Sequence, residues 1–470
     1  MEFLSKLGDA VVAASNWLWG PPLLLLLGFG GLFLTIRFGF IQFRHIGYIF
    51  SQTFGKMFQK SEDGISPFQA CTASLAACVG ASNIAGVPVA IAFGGPGAIV
   101  WMWILAFAGC ATKFCEIALG IKYREKNEAG EWVGGPMFYM KKGIKNKKFG
   151  AMLAFAFALI MMLENVPSAA AQMVSAVQNA AAIGLPAMGT GIGIIVIVAL
   201  VALGGINRIT KVTDKMVPVM VVAYVVGGLI VLAFNFTAIP SAFATIIKSA
   251  FTPMSAVGGF AGSTISAAIQ WGAARGAYSN EAGDGAAPFI HSAATVDHPV
   301  RQGFFGVFEV FVDTMIVCTF TGLICVVSGA WIKIDGSNAA TMPAAAFGNV
   351  FGSAGPIFLT LLILVFVIST LIVLVQVGTK SAEYCFGYKF SQIFRYMYFV
   401  GMFLGIVGGL EFVYRFLDFF FALLIISNMI GVFLLHGEVV DLIKEFFHTP
   451  GKYYLKDIAD RKAKKAEKRG

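Results

Sequence analysis

Apolar runs of about twenty residues recur along almost the whole of this 470-residue chain, each long enough to cross the hydrocarbon of a bilayer. Few folds tolerate that pattern. In lipid every backbone N–H and C=O must find its partner within the protein, so a spanning segment is either a helix or part of a closed barrel. The runs lack the alternating polarity of barrel strands, which leaves an all-α polytopic membrane protein. Composition agrees: 58% hydrophobic and 13% charged residues are more apolar surface than one soluble core of this size hides.

Eleven spans are expected, at 17–36, 66–92, 98–121, 150–180, 188–206, 216–236, 256–292, 303–330, 355–380, 394–409 and 416–436. Basic residues test the count. With the N-terminus outside, 29 of the 34 Lys and Arg residues fall on the cytoplasmic side, only Lys6, Lys248, Lys333 and Arg415 fall outside, and Arg275 lies within a span. An odd number of spans then puts the C-terminus in the cytoplasm of a multi-pass plasma-membrane protein. The net charge of +9 therefore concerns topology and anionic lipid, not nucleic acid. The N-terminal stretch, with Lys6 alone, does not read as a cleaved signal. Seven cysteines in or near spans suggest no disulfide framework, and five histidines show no paired metal spacing.

Two spans look interrupted. Residues 76–95, AACVGASNIAGVPVAIAFGG, hold Gly80, Ser82, Asn83, Gly86 and Pro88 at mid-bilayer depth, all poor choices for an unbroken helix. Small residues alone also serve close helix packing, but a full amide between glycines and a proline that lacks a donor favour a break. Residues 267–288, AAIQWGAARGAYSNEAGDGAAP, place Gln270, Trp271, Gly272 and Arg275 mid-run, followed by Asn280, Glu281 and Asp284. A break is expected at 270–272. Arg275, Glu281 and Asp284 read either as an inner gate or as a buried structural cluster. Five spans begin at each interruption, 66–236 and then 256–436. Five is odd, so the second set runs inverted relative to the first, with 1–65 a peripheral span and linker and 437–470 a basic tail.

Broken helices expose unpaired N–H and C=O groups. A zwitterionic amino acid and a small cation suit those two polarities. In the span 150–180, Asn165, Ser168, Gln172, Ser175 and Asn179 recur at spacings of 3, 4, 3 and 4, on one helix face. That stripe reads as the lining of a water-accessible path, with Gln172 the preferred substrate contact. Ser369 and Thr370 interrupt ILVFVISTLIVLV. Each either bonds back to its own helix or offers oxygen to Na⁺, a hard cation. Asp313, in FEVFVDTMIVCTF, is a lone acid able to bind a cation, relay protons or pair with Arg275.

The run GGPGAIVWMWILAFAG at 94–109 closely resembles the signature of the alanine or glycine:cation symporter family, the sodium–alanine symporters. VGASNIAGV (79–87), ARGAYSNEAGDGAAP (274–288), and KYRE with GGPMFYM in 122–140 are similar to that family too, in the same order, and the resemblance extends from about residue 15 to 440. Val100 stands where the family commonly has Phe, and Gly80-Ala81-Ser82-Asn83 where Gly-Thr-Gly-Asn is commoner. The resemblance implies uptake of alanine or glycine with Na⁺ as coupling ion, no enzymatic activity, and a leucine-transporter-type inverted repeat with one extra N-terminal helix. It implies main-chain donors for the substrate carboxylate near Ala81 and Ser82. It also implies a Na⁺ site from the carbonyls of Ala76 and Val79 with Phe366, Ser369 and Thr370. The expected substrate contacts are Cys78, Gly80, Ala81, Ser82, Asn83, Ser168, Gln172, Gln270, Trp271 and Gly272, with Trp271 capping a small side-chain pocket.

The resulting expectation is a secondary symporter for a small neutral amino acid. A proton-coupled carrier using Asp313 or Glu281 is the runner-up. An ion channel would need a repeated filter loop or ring of charges, and a membrane enzyme a nucleophile or metal constellation; the sequence shows neither. Oligomeric state is left open.

Overall fold

The computed structural model describes residues 2–57, 64–253, 264–334, 336–407 and 411–467. It is almost wholly helical; the strands Glu125–Lys126 and Trp132–Val133 form one short antiparallel hairpin. In chain order the principal helices are α1 (Glu2–Leu18), α2 (Pro21–Arg37), α3 (Ile46–Thr53), α4 (Pro67–Cys78), α5 (Ser82–Gly94), α6 (Ala98–Tyr123), α7 (Lys147–Ala182), α8 (Ala187–Ala202) and α9 (Gly205–Phe234). They continue with α10 (Phe236–Phe251), α11 (Ile265–Asn280), α12 (Ala287–His291), α13 (Pro299–Val327), α14 (Ala354–Phe386), α15 (Tyr388–Val407), α16 (Glu411–His448) and α17 (Tyr453–Glu467).

Among the described residues, eight helices are long and apolar enough to cross a membrane, or nine if the bent pair α4–α5 is one span. Eleven were expected, and the two that fall short are identifiable. The expected span 188–206 is the 16-residue α8, about 24 Å at 1.5 Å per residue, less than a full hydrocarbon thickness. The expected span 256–292 is a 16-residue helix, α11, followed by an unwound stretch and the five-residue α12. Its first residues, 256–263, lie outside the described residues, as do 408 and 409 at the end of the expected span 394–409.

Local chemistry sets where these helices begin. Ser66 caps α4 reciprocally: its Oγ accepts from the Gln69 N–H and the Gln69 Oε1 accepts from the Ser66 N–H, both at 3.1 Å, with Pro67 at the first helical position. Asn146 caps α7 and Thr264 caps α11 through side-chain oxygens. Apolar residues on the outward faces of α9 and α15, such as Val219, Val222, Ile393 and Val400, stay exposed, as lipid contact requires.

The expected break at Gln270-Trp271-Gly272 does not occur there; α11 is continuous from Ile265 to Asn280. Close packing explains these residue types instead. A Cβ on Gly272 would lie 2.4 Å from the Ala98 carbonyl oxygen of α6, so glycine lets the two backbones touch. Trp271 stacks on Phe93, ring centres 4.9 Å apart.

A fully buried ionic network fastens α4, α6, α11, α12 and α13 together. Lys113, among the 29 basic residues counted to the cytoplasmic side, is inside α6 with no exposed surface. Its Nζ donates to the Asn280 carbonyl at 2.8 Å and lies 3.3 Å from Glu309 of α13. Glu309 also accepts from Ser74 Oγ of α4 at 2.9 Å and from His291 Nε2 of α12 at 2.6 Å. Gln302 Nε2 lies 2.7 Å from His291 Nδ1, so both ring nitrogens have partners. At the chain's end, Asp457 of α17 accepts from Tyr48, Gln52 and Arg301, strapping the last helix onto α3 and α13.

Removing one member of a buried ion pair strands the other. Lys113→Met is therefore expected to destabilise the protein by about 3–5 kcal/mol, while Lys113→Met with Glu309→Gln regains most of the loss. Thermal melting of the purified variants checks this; a double variant no more stable than the single one would disprove it. Gly272→Val is expected to destabilise the protein by about 1–3 kcal/mol through backbone overlap, read as a lowered melting temperature, where Gln270→Ala changes it little.

Candidate functional site between two helix breaks

The first break follows Cys78. Val79 leaves the helical region at φ −78°, ψ 84°, and the chain resumes as a five-residue π-helical stretch, Ser82–Gly86, before turning α-helical at Val87. The two halves meet at 47°. The side chain of Asn83 closes part of the gap, because its Oδ1 accepts the Gly80 N–H at 2.9 Å. The start of the second half, at Ala81 and Ser82, carries N–H groups with no preceding turn of the same helix to satisfy them.

Gly80 is where the break meets the rest of the site. A Cβ there would lie 2.7 Å from Thr370 Oγ1 of α14 and 3.7 Å from Gln172 Nε2 of α7. Only glycine lets the unwound backbone approach the hydroxyl so closely.

The second break lies at Glu281–Ala286. Glu281 takes a left-handed conformation, φ 53°, and Gly283 and Gly285 follow at φ 105° and 82°. Side chains hold the freed backbone here too. Asn280 Oδ1 accepts the Ala282 N–H at 3.0 Å, Asp284 Oδ1 accepts the Ala286 N–H at 2.9 Å, and Asn428 Nδ2 of α16 donates to the Gly283 carbonyl at 2.9 Å. Asn428 in turn bonds to Glu116 and Tyr139.

Between the breaks lies a narrow cavity of about 30 Å³, room for roughly two or three water-sized groups. Cys78 and Ser82 come from the first break, Glu164, Ser168 and Gln172 from α7, Glu281 and Asp284 from the second break, and Thr370 from α14. Met161, Tyr278, Leu374, Val377, Phe421 and Leu424 supply apolar walls. Polar groups of both signs thus meet a small apolar surface, the form of a site for a small polar molecule.

Beside the cavity, hydroxyl and carbonyl oxygens of two helices meet. Thr370 Oγ1 reaches the Ala76 carbonyl at 3.0 Å and the Phe366 carbonyl at 3.1 Å, and Ser369 Oγ donates to Phe366 O at 2.7 Å. The bonds to Phe366 are the ordinary return to the hydroxyl's own helix. The one to Ala76 spans from α14 to α4. Val79, wholly buried, ends α4 three residues on.

Other expected residues lie elsewhere. Asn83 does not face the cavity. Its Nδ2 donates to Asp313 Oδ1 and, at 2.8 Å, to Ser279 Oγ, inside a closed knot in which Ser279 and Thr314 also donate to Asp313 at 2.7 and 2.9 Å. Asp313 therefore does not pair with Arg275; it sits on the π-helical stretch Phe311–Cys318 opposite that of Asn83. Gln270, Trp271 and Arg275 line a separate cavity, and Gly272 packs on α6. Nor do Arg275, Glu281 and Asp284 form one cluster. Six helical residues from 275 to 281 correspond to about 9 Å of rise and a different face. Within the α7 stripe, Ser168 and Gln172 line the cavity, whereas Asn165 donates to the Leu374 carbonyl at 3.0 Å and Asn179 back to Ser175 at 2.8 Å.

Several cavity residues escaped the sequence reading. Glu164 precedes Asn165 in ALIMMLENVPS and falls four residues before Ser168 and eight before Gln172, so the stripe's own period pointed to it. Tyr278 and Phe421, with ring centres 4.7 Å apart, look like any aromatic of a membrane helix until the fold joins them.

Known proteins agree with this architecture. The transporter YflA of Bacillus subtilis (strain 168) is 43% identical over 454 residues, 96% of this chain and 95% of its own. The sodium/alanine symporter AgcS of Methanococcus maripaludis is 39% identical over 451 residues, 95% and 98% of the two chains. Among solved structures, that of Mhp1, a nucleobase-cation-symport-1 family transporter in a closed conformation with bromovinylhydantoin bound, superposes with a TM-score of 0.50 at 13% identity, over 84% of this chain and 96% of that one. At that identity the likeness concerns the fold alone. The model of the sodium:alanine symporter family matches residues 4–458, and this chain, a multi-pass membrane transport protein and not an enzyme, belongs to that family.

Proposed function

We propose that the protein takes up a small neutral amino acid, alanine or glycine, together with Na⁺ by alternating access. The observation that carries this reading is the cavity between two helix breaks, lined by Ser82 at the start of α5 and by the acids Glu164, Glu281 and Asp284. A zwitterion answers both polarities once the walls part, since the cavity of about 30 Å³ holds two or three water-sized groups and an amino acid is larger. Its carboxylate meets the Ala81 and Ser82 N–H groups at the positive end of α5. Its ammonium turns toward the three acids, with Gln172 and Ser168 alongside, and its side chain meets Met161, Leu374 and Phe421.

Tight walls favour the smallest side chains. Each added methylene must displace a packed group, a stronger filter than a lost contact. Tyr278 and Phe421 hold the capping place expected of Trp271, which lies in the other cavity.

Na⁺ is assigned to the carbonyls of Ala76, Val79 and Phe366 with the hydroxyls of Ser369 and Thr370. The Thr370–Ala76 bond supports this reading, since it brings α14 oxygen onto the broken span. A cation there draws α14 and α4 together and orders the break that holds the substrate, so each ligand raises affinity for the other. The finer architecture follows: eleven spans, α8 and the α11 segment included, in two inverted five-helix repeats (66–236 and 256–436), the N-terminus outside and the C-terminus in the cytoplasm.

Asp313 supports a second reading, proton coupling. It is a buried carboxylate held by Asn83, Ser279 and Thr314 directly behind the first break. Uptake driven by a pH gradient without Na⁺, and abolished in Asp313→Asn, would establish it.

Competition binding of an amino-acid panel to purified protein, in NaCl against KCl, tests the first reading. Alanine and glycine are expected to bind in NaCl alone, with valine and leucine excluded; equal alanine binding in both salts disproves the Na⁺ assignment. Ser369→Ala with Thr370→Ala is expected to raise the Na⁺ concentration for half-maximal alanine binding about tenfold, about 1.4 kcal/mol. Gly80→Ala is expected to weaken alanine binding at least as much, measured by the same displacement assay.

A further inference from the structure

A second cavity, of about 110 Å³, lies against the first. Trp19, Gln270, Trp271, Arg275, Tyr278 and Asp418 line it. Tyr278 lines both cavities, and its ring packs on Phe421 of the central one, so this aromatic pair is the partition between them. Trp19 also stacks on Phe421, ring centres 5.8 Å apart and 10° from parallel.

The charges in this cavity are unusual. Arg275 lies with its guanidinium 5.4 Å from the centre of the Trp271 ring, and its Nε is buried without a hydrogen-bond partner. Asp418 faces the same space from α16. Among the described residues the two make no ion pair with each other, and neither side chain has a hydrogen bond. Opposite charges held in partly buried surroundings and kept apart cost free energy that direct contact would recover. A molecule with an anion at one end and a cation at the other removes that cost.

We propose that this cavity is a waiting site for the transported amino acid. Arg275 takes the carboxylate by paired N–H donors, Asp418 takes the ammonium, and Trp19 and Trp271 bound the side chain. The inference rests on the uptake reading above and on its orientation, in which this cavity opens to the outer side. Tyr278 and Phe421 then separate arrival from commitment. Charges placed on an entry path change how fast a ligand reaches the final site, not its equilibrium there.

The test compares Arg275→Met and Asp418→Asn with the unaltered chain in two assays. One is uptake of labelled alanine into proteoliposomes, the other equilibrium binding of alanine to purified protein in NaCl. Each substitution is expected to raise the uptake KM about tenfold while the binding Kd stays within about twofold. The double variant is expected to be no worse than either single one, because both groups serve one ligand, and Arg275→Lys to return the KM to within about threefold. An unchanged KM overturns the proposal, and so does a Kd that rises in step with KM. Failure of both neutralised variants to fold overturns it as well, since the charges would then belong to the scaffold. If the unaltered protein binds no alanine in NaCl, the uptake reading itself falls; if it binds alanine and the variants transport like it, only the waiting site falls.

Discussion

A peptide group released from its helix inside hydrocarbon has no water to turn to, and leaving it unpaired costs several kcal/mol. Both breaks are built around that constraint. At the first, the Asn83 amide accepts the Gly80 N–H. At the second, Asn280, Asp284 and Asn428 each satisfy one backbone group, and Lys113 satisfies the Asn280 carbonyl where α11 ends. Polar side chains near the breaks therefore do two jobs. Some repair the backbone, some face the cavity, and Asp284 does both. Asn83 belongs to the first kind, Glu164 and Gln172 to the second.

The same division explains how charge is distributed. Lys113 bonds directly to Glu309 and Asn280, behind the second break, and makes no hydrogen bond to the acids that line the cavity. Glu164, Glu281 and Asp284 give the space three carboxyl groups, to which an entering cationic group can donate. The opposite polarity comes from peptide dipoles at the start of α5 instead of from a basic residue. A fixed arginine beside that cavity would pair with the acids and close it; Arg275 sits one aromatic layer away.

Much of this was legible in the sequence, for physical reasons that also mark where legibility stops. Hydropathy and length report whether a segment suits lipid, and the long spans follow directly. Span 188–206 did not follow, because an apolar run says nothing about where the helix inside it ends. Asn83 beside two glycines located the first break. The second was misplaced by about ten residues because Gly272, a helix-packing residue, gives the same sequence signal as a helix breaker. The true signal was Glu281-Ala-Gly-Asp-Gly, with glycines at the two strongly left-handed positions. Ser369 and Thr370 stood out as hydroxyls in an aliphatic run. The Lys113–Glu309–His291 network did not, since its members are far apart in sequence and Lys113 falls at the end of a span where a loop lysine is ordinary. The π-helical turns at Ser82–Gly86 and Phe311–Cys318 have no compositional mark at all, yet they turn Asn83 and Asp313 toward each other.

The two breaks are not copies. The first is a short bend with a proline near its end and N–H groups at its edge; the second is a six-residue loop carrying two acids and two glycines. The inverted repeat proposed above asks only that the chain trace the same path twice in opposite senses. It does not ask that the chemistry repeat. A symmetrical pair of breaks would offer a ligand the same polarity twice, suited to a molecule with two like ends. An amino acid has unlike ends a few ångströms apart, and only breaks that have diverged, one toward donors and one toward carboxylates, hold it in a single orientation.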